Sequence, residues 1–380
     1  MKLLQAWRQA RRQRSGYQPL IEIQISRSRL LANWRAYQNR YPDFGLAPVL
    51  KSNAYGHDLV MVAEILDQES PAFFVVDSWP EAQSLRRAGI KSPILIIGYV
   101  RPENIKASRL SNLAFTVTSL EQLRELSLIS SRLTIHLKID TGMRRQGLEV
   151  DQVDEALEIL RAKPNLSLEG LCSHLADADN KNPEFTREQL AAWSKILARF
   201  ETEFPHIKYK HLAASAGAVY AGEAPGNVLR LGLGLYGINS SPLSDIKLQP
   251  VLEMRAPISS VRPLLAGEGI GYNLSYRAEK NLTVATVPAG YYEGVDRRLS
   301  NSGFFKIGST FCPIVGRVSM NISSLDVSAV PAAQVGDSVV IISREEPDPN
   351  SAANIAKQIG AIPYEVLVHI PGALRRTLVD

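Results

Sequence analysis

Leu133-Thr-Ile-His-Leu-Lys-Ile139, Val153-Asp-Glu-Ala-Leu-Glu-Ile-Leu-Arg-Ala162 and Leu168-Glu-Gly-Leu-Cys-Ser173 follow one another near the middle of the chain. The first and third are short apolar runs, which read as strands buried on both faces. The second returns an apolar residue every three or four positions, the period of a helix with one buried side. Strand, helix and strand in this rhythm make the unit of a parallel sheet covered by helices. Outward from it the same texture extends from about Pro19 to Tyr236. Strand-like runs fall at Pro48–Lys51, Phe73–Val76, Ile94–Ile97, Leu113–Val117, Leu133–Ile139, Leu168–Ser173, Tyr209–Ala213 and Val228–Leu231. Helical periodicity fills Leu59–Glu69, Trp79–Ala88, Leu120–Ile129, Val153–Ala162 and Thr186–Glu203, with Ser119 and Asp151 as helix-start signals. Eight such units favour a closed (β/α)8 barrel over an open sheet.

After Pro250 the texture changes. Ile258–Val261, Leu282–Val287, Phe304–Ile307, Pro313–Val318 and Ser338–Ile342 are alternating or β-branched runs separated by Gly, Pro and Asp turns, which reads as antiparallel sheet. A short helix is expected to begin near Ser351, whose hydroxyl can cap it, and to stop at Gly360. The fold class is therefore α/β: an N-terminal (β/α)8 TIM-like barrel followed by a mostly antiparallel β domain. The expected divisions are a basic leader over 1–16, the barrel over 17–245 and the β domain over 246–380. The boundary falls where Ser240-Ser-Pro242 and Gln249-Pro250 interrupt the pattern.

With 380 residues, 45% hydrophobic and 21% charged, the chain can bury a sizeable core and lacks the composition of disorder. The net charge of +5 has one source. Lys2, Arg8, Arg11, Arg12 and Arg14 precede the first acid, and beyond them acids and bases balance. An excess confined to one terminal segment does not describe a nucleic-acid surface. No run of 18 apolar residues and no signal-peptide core occurs, so a soluble cytoplasmic protein without membrane or nucleic-acid partners is expected. Cys172 and Cys312 form no close-spaced pair, which suits a reducing compartment, and no metal site is expected.

Lys51 ends the first strand in Ala47-Pro-Val-Leu-Lys-Ser-Asn-Ala-Tyr-Gly-His57. That end of a barrel strand is the face where catalysis occurs. A lysine there is partly desolvated, which favours its neutral amine and makes it a candidate to form a Schiff base. Alone it reads equally as a surface lysine. Asn53 and Gly56 supply turn chemistry beside it, and Tyr55 a hydroxyl. His211-Leu-Ala-Ala-Ser215 and Arg230-Leu-Gly-Leu-Gly234 follow strands seven and eight, where barrels commonly hold a phosphate. Ser215 offers a hydroxyl and Gly232 close backbone N–H approach. Beside a strand-end lysine, this points to a phosphorylated cofactor. His174 at the end of strand six and Arg145 after strand five are expected at the same mouth.

At these residues the chain resembles the alanine racemases. The resemblance rests on Lys51-Ser-Asn-Ala-Tyr-Gly-His57, Lys138-Ile-Asp-Thr-Gly-Met-Arg-Arg-Gln-Gly147, Arg230 with Leu235-Tyr-Gly237, Gly271-Tyr272, Ala289-Gly-Tyr291 with Arg297-Arg298, and Gly316-Arg-Val-Ser-Met320, in the family's order. It implies a barrel that binds pyridoxal phosphate (PLP), followed by a β domain. It further implies that Lys51 carries PLP and is one acid/base, and that Tyr272 from a second subunit is the other. By resemblance Arg230 faces the pyridine nitrogen, with His174 beside ring and arginine. Tyr55, Ser215, Gly232 and Leu233 match phosphate-site positions. Arg145 matches the arginine that contacts the cofactor phenolic oxygen and the substrate carboxylate. Met320 matches a substrate-site backbone contributor, Tyr291 an entrance tyrosine, and Lys138 a lysine often carbamylated in the family. A homodimer with shared active sites follows.

Three positions depart from the family pattern. Asn321 stands where Asp follows the methionine, Asp58 where glycine is common, and Gly372 where alignment on Tyr364-Glu-Val366 puts a phosphate-binding tyrosine. Losing one hydrogen bond to a charged group costs about 1.5 to 3 kcal/mol, so weaker PLP retention is expected. The expected activity is interconversion of L- and D-alanine for peptidoglycan. The alternatives are a racemase of another amino acid such as serine or lysine, and a PLP-binding paralogue with weak or lost catalysis. A decarboxylase of the same architecture would place an acid opposite the pyridine nitrogen, and Arg230 argues against it.

Overall fold

The computed structural model describes residues 19–380, so the expected basic leader lies outside the described residues. β1 (Glu22–Ser26) and α1 (Arg27–Arg40) come first. The Ser26 hydroxyl caps α1 by accepting the Arg29 N–H at 3.2 Å. This helix was not among those expected, because its buried stripe, Leu30, Asn33, Trp34 and Tyr37, is narrow and half polar.

Eight parallel strands follow, seven of them at the expected positions: β2 (Gly45–Pro48), β3 (Phe74–Val76), β4 (Ile94–Ile96), β5 (Leu113–Val117), β6 (Leu133–Lys138), β7 (Leu166–Cys172), β8 (Tyr209–His211) and β9 (Val228–Leu231). β2 lies earlier than the expected Pro48–Lys51, so Lys51 does not end the strand but opens the turn that follows it. β3 to β8 pair in sequence order and β2 pairs with β9. Parallel bridges Val49↔Val75 and Ala214↔Arg230 close the ring. Every residue of β3 and β4 is buried, the physical counterpart of an unbroken apolar run, and β9 is wholly buried although Arg230 interrupts its apolar residues. Each such Val, Leu or Ile contributes about 1.5–3 kcal/mol by leaving water.

The covering helices are α2 (Leu59–Leu66), α3 (Trp79–Ala88), α4 (Pro102–Lys106), α5 (Leu120–Ser127), α6 (Val153–Ala162) and α7 (Glu184–Glu203). Ser119 caps α5 as expected, accepting the Gln122 N–H at 3.2 Å. Asp151 does not cap α6. It sits inside a 3-10 turn, Val150–Gln152, that Glu149 and Gln152 close by a backbone-to-side-chain bond, and α6 starts only at Val153.

The C-terminal half contains β10 (Leu252–Pro257), β11 (Ser260–Leu264), β12 (Gly269–Ile270), β13 (Tyr276–Arg277), β14 (Leu282–Val287), β15 (Phe304–Ile307), β16 (Thr310–Pro313), β17 (Ser323–Asp326), β18 (Ser338–Ile342), α8 (Ala352–Ile359), α9 (Pro363–Val368) and β19 (Arg375–Val379). Ser351 and Gly360 bound α8 as expected. The run Pro313–Val318 is not one strand. Pro313 ends β16, and beyond it only Ile314 bridges to Leu325 before Gly316 turns the chain at φ 79°. The main sheet has the order β16-β15-β18-β10-β1-β19, so the first described strand lies between elements from the far end of the chain. β1 runs antiparallel to β10 and parallel to β19.

Candidate active site

Lys51 leaves β2 at the mouth of the barrel, half-buried. The strand direction persists to its neighbour, whose N–H donates to Val75 O at 2.8 Å. The chain then makes a left-handed turn, with φ of 52–55° at Ser52, Asn53, Ala54 and Tyr55. Such a run costs non-glycine residues roughly 1–2 kcal/mol each, so surrounding contacts must hold it. Glu81 in α3 is one clamp. One carboxylate oxygen accepts the Ser52 N–H at 2.7 Å, and the other accepts the N–H groups of Asp77 and Ser78. Asn53 is another, accepting the Leu59 N–H at 2.9 Å. Asp58 has a positive φ and caps α2 through the N–H groups of Val60 and Met61, work that a glycine there lacks the side chain to do.

Across the mouth, the Ser215 hydroxyl accepts the N–H of Gly232 at 2.9 Å and of Gly234 at 3.2 Å. Tyr55 brings its hydroxyl over Gly232 so closely that a Cβ there would lie 2.9 Å from it. Leu233 is buried between the two glycines. The Ser215 and Tyr55 hydroxyls and the backbone of Gly232 to Gly234 thus converge after β8 and β9, an arrangement that could hold an anion. Burial raises the Tyr55 phenol above its usual range, so it stays protonated and can donate. Tyr37 of α1 also reaches Ser215, and burial pushes it up to about 12. Tyr364 of α9 packs its ring 5.5 Å from that of Tyr55. Neither was read from the sequence, since both arrive from elements outside the β8 and β9 loops.

Arg230 is the centre of the site and is buried. One terminal nitrogen donates to His211 O at 2.7 Å and lies 2.8 Å from His211 Nδ1. The other donates to Ser173 O and Leu212 O and lies 3.0 Å from His174 Nδ1. His174 is pushed down to about 3, first by burial and then by the charges of Arg230, Arg145, Lys138 and Lys51. A neutral imidazole therefore stands among four cations at one mouth, which draws together five of the residues singled out in the sequence. Lys138, half-buried at the end of β6, lies below the usual lysine range because of burial and the charges of Arg145 and Arg230. Asp140 positions the backbone of the Arg145 loop, accepting the N–H groups of Gly142 at 2.7 Å and Arg145 at 3.2 Å.

Tyr272, Tyr291 and Met320 belong to the β domain and are exposed. The Tyr291 N–H donates to Ser319 O and the Tyr292 N–H to Met320 O, so these loops are laced together. The Tyr272 side chain makes no hydrogen bond among the described residues, and none joins it to Lys51. Asn321 has a partner matched to it: its Nδ2 donates to Glu293 at 2.6 Å, and Glu293 is buried and accepts the Gly290 N–H. An aspartate would oppose that carboxylate, so Asn321 fits its surroundings. Gly372 borders open space. Among the described residues no group of three His, Cys, Asp or Glu could hold a metal ion, and no helix is long and apolar enough to cross a membrane.

The family model "Alanine racemase, N-terminal domain" matches residues 25–240 and "Alanine racemase, C-terminal domain" residues 251–378. An alanine racemase of Carboxydothermus hydrogenoformans is 34% identical over 330 residues, 85% of this chain and 89% of that protein. One from Lactobacillus acidophilus is 33% identical over 338 residues, 86% and 88% of the two chains. Among solved structures, alanine racemase from Bacillus anthracis superimposes with a TM-score of 0.87 at 30% identity, covering 96% of each chain. That from Streptomyces lavendulae gives 0.88 at 28%, covering 96% of this chain and 98% of the other.

Proposed function

The chain belongs to the alanine racemase family, and on that premise we propose that it interconverts L- and D-alanine with PLP as cofactor, in sites shared between two subunits. Arg230 carries the reading. Its terminal nitrogens are occupied by protein acceptors, and among the described residues only its Nε–H keeps none. One free donor on a permanent cation suits the unprotonated nitrogen of a pyridine ring. The Ser215 cradle suits a phosphate and the Lys51 amine an aldehyde, so the residues fit the cofactor at three separate groups. Tyr55, Ser215, Gly232 and Leu233 would hold the phosphate, Lys51 the aldehyde carbon, His174 the side of the ring and Arg230 its nitrogen. When bound, PLP acidifies the Cα–H bond of an amino acid attached to it.

The protein supplies the stereochemistry. Lys51 Nζ takes or returns the Cα proton on one face, and Tyr272 of the partner subunit serves the other. Removal by one and delivery by the other inverts the centre. Facing the ring nitrogen, Arg230 would donate to it and, as a fixed cation, disfavour its protonation, which would restrain side reactions that need charge stored in the ring. Arg145 and the Met320 backbone would orient the substrate carboxylate, with Tyr291 at the entrance. The downward shift at Lys138 makes the neutral amine, the form that adds carbon dioxide, easier to reach, and a carbamate there would supply an anion to hold Arg145. Peptidoglycan synthesis in the cytoplasm is the setting such an activity serves.

The test is incubation of PLP-loaded protein with L-alanine in D2O, reading deuterium at Cα and the enantiomer ratio. Deuterium incorporation with inversion is the expected result. Exchange with retention would mean that one base works alone. No exchange with alanine, set against turnover of serine or lysine, would move the substrate and leave the architecture of the proposal intact.

A further inference from the structure

Arg230 is a buried cation, and among the described residues no carboxylate forms an ion pair with it. The acid connected to it is Glu169, by way of two imidazoles. His211 Nδ1 lies 2.8 Å from the Arg230 terminal nitrogen, His211 Nε2 lies 2.8 Å from His136 Nδ1, and His136 Nε2 lies 3.5 Å from Glu169 Oε2. A guanidinium can only donate. His211 must therefore accept at Nδ1 and carry its proton on Nε2, which obliges His136 to accept at Nδ1 and to offer Nε2–H to the carboxylate. Every proton in the series points the same way, and each ring is restricted to one tautomer.

The barrel is built around this series. The pairing of β6 with β7 shifts register beside His136, between Ile135↔Leu168 and His136↔Gly170, so Glu169 falls outside the regular pairs. A Cβ on Gly170 would lie 2.6 Å from His136 Nδ1, so only glycine leaves room for the ring. Phe73 packs against both imidazoles at 5.3 Å. Burial holds both rings below the usual histidine range, with the charge of Arg230 acting in the same direction. Glu169 is one-quarter exposed, has Lys208 3.7 Å away, and lines a cavity of about 540 Å³ at the N-terminal ends of β4, β5 and β6.

We propose that Glu169 and His136 are positioning residues for Arg230, forming with His211 a one-directional hydrogen-bond relay that supplies the arginine's counter-charge from the far side of the barrel. The relay rests on the reading of Arg230 above only for what the guanidinium faces. Through it, the charge at Glu169 governs how strongly the Arg230 N–H groups are held by the protein, and so how much donor strength remains at Nε.

The experiment uses full-length, PLP-loaded protein with 15N-labelled histidine, assigning His136 and His211 and reading both ring nitrogens between pH 6 and 8. Both rings are expected neutral with the proton on Nε2 throughout. A proton on Nδ1 of either ring, or a doubly protonated ring, would overturn the relay. A second arm carries Glu169→Gln, which keeps an acceptor oxygen and removes the charge. In it the 15N resonance of the cofactor ring nitrogen is expected to move while the 31P resonance of its phosphate stays, with kcat about tenfold lower and KM within twofold. An unmoved ring-nitrogen resonance with unchanged kcat would refute the positioning role. The tautomers are read without turnover, so their failure is distinct from failure of the racemase reading, which the D2O experiment reports.

Discussion

Burial keeps four imidazoles neutral in the folded protein. His57 is pushed down to about 4 and His174 to about 3, and His136 and His211 are shifted the same way. Each titrates near 6.5 once unfolded, so between the folded and unfolded values the unfolded chain binds more protons. Their contribution is therefore whole above about pH 6.5 and is lost as the pH falls. Urea midpoints measured from pH 7 to 4.5 should decline steadily, with His57 alone accounting for about 2 kcal/mol by the acid end. A flat midpoint would show the rings titrating as free imidazoles. At Gly372 a built Cβ meets nothing within 4 Å, so a larger side chain has room. Gly372→Tyr should tighten PLP retention by roughly tenfold, the worth of one charged hydrogen bond, and an equal dissociation constant would exclude a gap in the phosphate site. Residues of this kind were legible where a motif carried them, as with Lys51, Ser215 and Arg230. Glu293 was not, because Asn321 finds it 28 positions away and only folding makes them neighbours.

At the scale of elements, the turn after Lys51 is unfavourable left-handed backbone held by neighbours, with Glu81 the most connected of them. Glu81→Ala removes the acceptor for three backbone N–H groups and should lower stability by about 1.5–3 kcal/mol, whereas Glu81→Gln, whose amide nitrogen cannot accept, should recover only part of it. Calorimetry on the two variants checks this, and a melting temperature for Glu81→Ala equal to that of the unsubstituted protein would remove Glu81 from the account. Barrel strands such as β3 and β4 were legible because every residue in them is buried, so an apolar run is their whole signal. β10, with Glu253 and Arg255, and β17, with Ser323 and Asp326, escaped notice because their polar residues break the pattern and their strand character comes from partners. The same holds for α1.

For the whole molecule, Tyr272 is 68% exposed and Met320 54%, as side chains proposed to serve the site of a second subunit would be. A site shared between subunits makes a direct demand. Lys51→Ala and Tyr272→Phe proteins, each inactive alone, should regain about a quarter of normal activity when unfolded together and refolded, since half the pairs are mixed and each holds one intact site. No recovery, with mixed pairs demonstrated, would place both groups in one subunit. The strand order of the main sheet has a further consequence, for the making of the protein rather than its working. β1 is paired on one side by β10 and on the other by β19, and the Ser26 hydroxyl donates to Asp380, 354 positions away. A ribosome delivers these partners long after it delivers β1, so the barrel can assemble during synthesis while that strand waits with both edges bare. Whatever shields it in the interval, the sheet is the last part of the molecule to close, and shortening the chain by its final strand would strip one edge of the first.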